Sequence, residues 1–190
     1  MSALVPLLVG IPLIGAAINL IFGRRKKTQI VVSVASLAAV LVLGAILLVT
    51  VDTSGPIAVA IAAWDIPFGI VLYVDVLAAL LVVVTSIVLL AVLLFSIGQG
   101  AADNDEDTPV SIFYPAYLIL GAGIFNAFIA GDLFNLYVGF EILLVASYVL
   151  ITLGGTESRI RTGVVYIVVS LVSSILFLAA IAAIYGALGT

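Results

Sequence analysis

The sequence predicts an all-α polytopic membrane protein with six transmembrane helices, and composition and hydropathy pattern are the observations behind this. Hydrophobic residue types make up 65% of the 190 residues and charged types only 8%, whereas soluble domains are about 45–50% apolar and about 25% charged. One water-soluble core of this size cannot bury such an apolar surplus. The apolar runs are continuous over about 20 residues, as membrane helices require, and lack the alternation of barrel strands. A soluble enzyme and a disordered chain are therefore excluded.

The apolar runs follow one another along the whole chain, and we expect residues 1–190 to form a single membrane domain. Short polar segments join the runs, except that residues 51–73 form one longer excursion outside the membrane. The predicted spans cover residues 4–22, 30–50, 74–97, 112–130, 133–153 and 163–187.

The cations predict the orientation of these spans. All six lie either at residues 24–27, after the first span, or at Arg159 and Arg161, after the fifth. The positive-inside rule places both segments in the cytoplasm, so both termini are expected outside. An acidic cluster at residues 103–107 falls on the inner side. Acidic residues contribute little to the rule, so the cluster leaves the prediction unchanged.

Three local features refine the first half of the chain. Pro6 and Pro12 should kink the first span or shorten its first turn. Alternation in residues 57–63 allows a short hairpin at the interface, with Trp64 in the aromatic belt. Asp75 opens the third span, where a carboxylate interacts favourably with the helix dipole.

Glu141 is an acidic residue deep inside a predicted span, about 12 Å along the fifth helix at 1.5 Å per residue. Ionisable groups near the bilayer midplane are costly and usually mark ion or proton pathways. Tyr137, Tyr148 and Thr152 fall within about 60° of it on the helix surface. We therefore predict a proton relay at Glu141, with these hydroxyls as a relay or hydration stripe. The alternative is a protonated glutamate that only hydrogen-bonds a neighbouring helix.

Other polar and small residues near the spans each have two interpretations. Asp132 could cap the fifth helix, with Asn135 at the N3 position, or be an acid at which a cation enters or leaves the membrane. Asn126 could assist either role. Small residues favour close helix approach, although the serines of the sixth span could instead hydrate the Glu141 region. These small residues are Ser33, Ser36, Gly121, Gly123, Ser170, Ser173 and Ser174.

Missing residue types restrict the chemistry. The chain has no Cys and no His, which excludes disulfides, thiolate or imidazole metal sites, haem ligation by His and iron–sulfur ligation. We expect no cofactor, no metal and no nucleic acid. Proton transfer must use Asp, Glu, Lys, Tyr or water, because the usual imidazole is absent.

The fifth span resembles a known family. Residues 131–138 (GDLFNLYV), 140–141 (FE) and 146–151 (ASYVLI) are similar to the D subunits of multisubunit sodium/proton antiporters of the Mrp type. That family is related to the antiporter-like membrane subunits of respiratory NADH:quinone oxidoreductase. The resemblance to this family extends to residues 68–70, 75–77, 185–186 and 189–190 and to Ser174. The resemblance implies that Glu141 matches an acidic residue that pairs with a lysine of the seventh span and takes part in proton translocation.

This chain departs from the family in length. It has no lysine at membrane depth and ends after the sixth span, so the second half of the inverted repeat is missing. We expect the first half of an antiporter-like subunit, as part of a longer chain.

The implied function is that of a secondary transporter subunit, not an enzyme, in the plasma membrane of a prokaryote. Its expected partners are protons, sodium, lipid and other membrane subunits of a hetero-oligomeric antiporter. Two alternatives stay open: a proton-pumping subunit of a respiratory or hydrogenase-type redox complex, and a non-transporting scaffold or assembly subunit.

Overall fold

The computed structural model describes residues 2–23, 25–61, 69–99, 112–153 and 157–188. Within these ranges the chain forms six α-helices, one short 3₁₀ turn and a two-stranded hairpin. Arg24, Trp64 and the acidic cluster at residues 103–107 lie outside the described residues. The helices are α1 (Leu7–Ile21), α2 (Lys26–Ser54), α3 (Val76–Gly98), α4 (Phe113–Ile129), α5 (Leu133–Thr152) and α6 (Glu157–Leu188), and the strands are β1 (Ile57–Ala60) and β2 (Val71–Val74).

The helices confirm the expected all-α membrane fold. Five of the helical segments are long and apolar enough to cross a membrane, and α4, with 17 residues, is a shorter apolar helix. Two helices are longer than the apolar runs suggested: α2 has 29 residues and α6 begins at Glu157, ahead of residue 163. Lys, Gln, Glu and Arg are good helix formers, so they continue these helices into the polar flanks.

The first two helices confirm the local predictions for Pro6 and for the serines of the second span. Pro6 is the N-cap of α1, which therefore begins later than residue 4, and Pro12 lies inside the helix. The amide nitrogen of Asn19 donates to the hydroxyl of Ser33 over 2.8 Å, and both side chains are fully buried. Polar groups buried between helices are stable when they are hydrogen-bonded to each other.

α4 occupies the centre of the bundle. Eleven of its 17 residues are buried, and it packs against α1, α2, α3 and α5. The hydroxyl of Tyr117 donates to the backbone oxygen of Leu89 on α3 over 2.8 Å. A helix of this length is about 26 Å long, slightly less than the hydrocarbon thickness of about 30 Å. The four helices packed around α4 shield most of this short helix from lipid.

Glycines bring α4 and α5 into backbone contact. A Cβ atom on Gly123 would lie 2.6 Å from the backbone nitrogen of Leu143. A Cβ atom on Gly139 would lie 2.9 Å from the backbone nitrogen of Ala127. Side chains larger than hydrogen do not fit at these distances, so the close packing predicted for Gly123 is present.

The hairpin differs from its prediction in the position of the second strand. β1 pairs antiparallel with β2, and Ile57 lies opposite Val74. The sequence suggests a hairpin within residues 57–63, because the alternation typical of strands is confined to that stretch. Asp75 ends the strand and caps α3, since its Oδ1 accepts from the backbone nitrogen of Ala78 over 2.8 Å.

Candidate proton-relay site

One narrow face of α6 packs against α5. The positions on this face that are buried or half-buried recur every three or four residues, a spacing typical of two helices packed side by side. The surrounding apolar residues of α6 are largely exposed, as expected for a helix that faces lipid. The inward positions are Gly163, Ile167, Ser170, Ser174, Phe177 and Ile181.

Glu141 points from α5 towards this face of α6. Gly139 and Leu143, two positions before and after it, contact α4. At 100° per residue these two positions lie on the opposite side of α5 from Glu141. The carboxylate is half-buried, and its Oε1 accepts a hydrogen bond from the hydroxyl of Ser174.

Tyr137 extends this contact into a chain of three residues. Its hydroxyl lies 3.3 Å from the hydroxyl of Ser174. A serine hydroxyl has one proton, so when Ser174 donates to Glu141, Tyr137 must donate to Ser174. The ring of Phe177 packs edge-on against Tyr137, with centroids 5.9 Å apart, and against Phe140 at 6.0 Å. Aromatic packing thus fixes the ring that carries the first hydroxyl.

Tyr148 and Thr152 share the face of α5 that contacts α6 but form a separate group. The ring of Tyr148 packs edge-on against Tyr166, with centroids 5.6 Å apart. Ser147 and Tyr166 have hydroxyls 3.3 Å apart. The hydroxyl of Thr152 donates to the backbone oxygen of Tyr148 over 2.8 Å. In the described part of the chain, no hydrogen bond joins these hydroxyls to Glu141.

Ser174 is the partner of Glu141 that sequence reasoning did not single out. The spacing of the three serines in the sixth span suggested either close packing or a polar stripe. Ser170 and Ser174 are buried at 9% and 4% exposure, whereas the exposed Ser173 donates to its own helix at Val169 over 3.0 Å. Spacing alone could not show which serine faces α5, because that depends on how the two helices meet.

Asp132 lies at the N-cap of α5. Its Oδ1 accepts from the backbone nitrogen of Asn135 over 2.7 Å, and its Oδ2 accepts from the backbone nitrogen of Val71 over 3.0 Å. The amide nitrogen of Asn126 donates to the side-chain oxygen of Asn135 over 3.0 Å, and both residues are buried. The geometry is that of a helix cap, and a role in cation access stays a prediction.

The groups at this site have the chemistry that proton exchange requires. A carboxylate and two hydroxyls in series can accept and pass a proton, because each hydroxyl both donates and accepts. Within the described ranges, no three acidic side chains come together in a way that could hold a metal ion.

Known proteins resemble this chain along its whole length. It is 37% identical over 190 residues to the Na(+)/H(+) antiporter D subunit of Alkalihalophilus pseudofirmus, covering 100% of this chain and 38% of the relative. It is 38% identical to the Na(+)/H(+) antiporter D subunit of Bacillus subtilis, with the same coverage of both chains. The chain is similar to the D subunits of these antiporters over its full length. It spans about 38% of the length of these curated relatives.

Solved structures support the same relationship. The chain superposes on the Mrp complex from Dietzia sp. DQ12-45-1b with a TM-score of 0.89 and 28% identity, covering 100% of this chain and 35% of the other. The chain also superposes on the membrane-bound sulfane sulfur reductase, an archaeal respiratory membrane complex, with a TM-score of 0.88 and 27% identity. This match covers 100% of this chain and 38% of the other. The family model for the transmembrane region of NADH:quinone oxidoreductase and Mrp antiporters matches residues 130–190.

These relationships confirm the resemblance seen in the sequence of the fifth span. The relatives belong to multisubunit membrane complexes. Together with the apolar helices, they identify an antiporter-like membrane subunit that crosses the plasma membrane several times.

Proposed function

We propose that this chain is part of a cation/proton antiporter subunit in which Glu141 binds and releases the translocated proton. The exchanged ions are protons and sodium, and the partners are other membrane subunits in the same bilayer. The relatives named as D subunits of Na(+)/H(+) antiporters support the ion pair, and the neighbouring complexes support the assembly.

The hydrogen-bonded chain Tyr137–Ser174–Glu141 is the observation that carries this proposal. When Glu141 is charged, the chain donates towards it. When Glu141 is protonated, the carboxyl group can donate to Ser174, and Ser174 then donates to Tyr137. The chain therefore has two directions of donation, one for each protonation state, as a relay requires.

The charge state of a membrane-depth carboxylate depends on its partner. Desolvation disfavours the charged form of a carboxylate, and a nearby cation favours it. Lys26 and Lys27 are the lysines of this chain, and they lie in the first turn of α2. A lysine partner for Glu141 therefore comes from outside residues 1–190. Movement of that cation would switch Glu141 between loading and release, and one charge crossing 100 mV is worth about 2.3 kcal/mol.

A second candidate is a proton-pumping subunit of a redox complex. The close superposition on a chain of the archaeal respiratory complex favours it, since the same helices occur there. The relay at Glu141 would be the same, but electron transfer in partner subunits would drive it.

The deciding experiment is Glu141→Gln in the full-length subunit within its assembled complex, with sodium-driven proton flux measured in everted vesicles. The glutamine keeps the shape of the side chain but cannot release a proton, so we expect exchange per assembled complex to be lost. The matched control is Glu157→Gln, because Glu157 is exposed at the start of α6. Undiminished exchange in Glu141→Gln would contradict the proposal.

The two candidate functions differ in their driving force. In vesicles with an imposed pH gradient and no electron donor, added sodium should dissipate the gradient if the complex is an antiporter. Flux that appears only when an electron donor is supplied would assign the subunit to a redox complex instead.

A further inference from the structure

The turn between α4 and α5 is bound to the hairpin. Ala130 forms an antiparallel bridge with Leu72. The backbone nitrogen of Gly131 donates to the backbone oxygen of Val71 over 2.8 Å. Residues 130–132 therefore run beside β2 and are joined to it by one isolated bridge and one backbone hydrogen bond.

The carboxylate of Asp132 adds a further hydrogen bond between this turn and β2. In an antiparallel pair, two opposite residues exchange both of their backbone hydrogen bonds. The backbone oxygen of Val71 accepts the expected hydrogen bond from the backbone nitrogen of Gly131. The backbone nitrogen of Val71, however, donates to Oδ2 of Asp132 and not to the backbone oxygen of Gly131. Hydrogen bonds to a charged acceptor are roughly twice as strong as neutral ones. A side chain thus replaces a backbone carbonyl in the ladder.

Gly131 is required for this close approach. A Cβ atom at this position would lie 2.9 Å from the backbone oxygen of Val71. Any side chain here would push the hairpin away from the turn.

The same strand also fixes a second helix. β2 ends at Val74, and the next residue, Asp75, caps α3 through its Oδ1. The first residue of β2, Val71, is bonded to Asp132, which caps α5. The starts of α3 and α5 are therefore both attached to β2. Because α5 is continuous from Leu133 to Thr152, an attachment at its first turn contributes, together with the glycine contacts to α4, to the rotation of the whole helix.

We propose that Asp132 is a positioning residue for the relay. Its carboxylate binds the backbone nitrogen of Val71 in the hairpin, and we call this bond between Asp132 and Val71 the latch. The latch holds α5 in the rotation that keeps Glu141 facing Ser174. The effect on transport rests on the proposed function of Glu141, whereas the latch itself does not.

Asp132→Asn separates the latch from the cap. Asparagine caps helices about as well as aspartate, so its oxygen can keep the bond to Asn135. Its amide nitrogen is a donor and cannot accept from Val71. We expect hydrogen exchange of the peptide containing Val71 to accelerate about tenfold, as for the loss of a bond to a charged group.

The transport readout distinguishes positioning from ion binding. Turnover per assembled complex should fall about fivefold and its pH profile should shift, with an unchanged KM for sodium, because Glu141 is misaligned while the cation route is intact. The matched control is Asp75→Asn, which removes the same charge from the N-cap of α3, where the carboxylate bonds only the cap nitrogen of Ala78 within the described ranges. It should change neither readout.

Val71→Pro tests the same bond from its other partner. Proline lacks the donor and is tolerated at the first residue of a strand. We expect it to reproduce the turnover loss of Asp132→Asn. The double variant should be no worse than either single variant, since both remove one interaction.

Each outcome decides a separate point. Unchanged exchange at Val71 in Asp132→Asn would show that the latch does not hold the hairpin. Faster exchange with unchanged turnover would refute positioning, and a raised KM for sodium at constant turnover would assign Asp132 to ion binding. If Glu141→Gln transports normally, the proposed function fails, but the exchange at Val71 still decides the latch.

Discussion

At the scale of single residues, the site depends on a serine that links two helices. Ser174 is the only group that contacts both Glu141 and Tyr137 through hydrogen bonds in the described part of the chain. Its role differs from that of its neighbour Ser173, whose hydroxyl bonds only its own helix. This pair gives a direct comparison between a relay hydroxyl and a local one.

Ser174→Ala should lower antiport turnover per assembled complex by about ten- to a hundredfold, because a hydrogen bond to a charged group contributes about 1.5–3 kcal/mol. Ser173→Ala is the control and should transport normally. Sodium-driven proton flux in everted vesicles measures both. Equal activity of the two variants would contradict a role for Ser174 in the proposed relay.

Tyr137→Phe should lower turnover by about two- to tenfold, the range expected when one neutral hydrogen bond is lost. The phenylalanine keeps the ring packing on Phe177, so the complex should assemble normally. Tyr148→Phe is the comparison, because the ring of Tyr148 contacts Tyr166 and its hydroxyl is not part of the chain to Glu141. Similar losses in both variants would indicate that the two hydroxyl groups act together.

At the scale of elements, the contact between α4 and α5 determines where Glu141 points. The glycines on these helices hold one side of α5 against α4, which leaves the other side for α6. A change in this contact would rotate α5 as well as destabilise it.

Gly123→Ala should destabilise the protein by about 1–3 kcal/mol, the usual cost of overpacking a tight contact. Gly10→Ala in α1 is the control, since a Cβ atom there would meet nothing within 4 Å. It should be neutral or stabilise by about 0.5–1 kcal/mol, because alanine is the better helix former. Thermal unfolding in detergent measures both, and equal unfolding temperatures would contradict the close contact.

The sequence predicted the helices, an acidic residue at the start of the third span and the cap at Asp132, because each depends on local periodicity or on a few consecutive residues. It did not predict that β2 would pair with β1, because the alternation covers only residues 57–63 and β2 begins at Val71. The sequence also could not predict the hydrogen bond from Ser174 to Glu141, because a contact between residues 33 positions apart depends on the relative rotation of two helices.

At the scale of the whole molecule, the two basic segments should lie on one side of the membrane. α2 is about 44 Å long at 1.5 Å per residue, so its ends reach opposite surfaces. Lys27 lies near one end and Ser54 at the other, and both side chains are exposed.

Single cysteines can test this orientation cleanly because the chain has none of its own. In intact cells, an impermeant maleimide should label Ser54→Cys and leave Lys27→Cys unlabelled until the membrane is permeabilised, as the positive-inside rule requires. The reverse pattern would invert the predicted topology and place the hairpin in the cytoplasm.

The short turn at residues 130–132 has a consequence for biogenesis. Residues 130–132 join α4 and α5 so closely that we expect the two helices to enter the bilayer as a pair. α4 is short and α5 contains Glu141, and each feature makes insertion of that helix alone less favourable. Inserted as a pair, the helices would bury Asn126 against Asn135 from the start. The helix that carries Glu141 would then enter the membrane with a partner already in place.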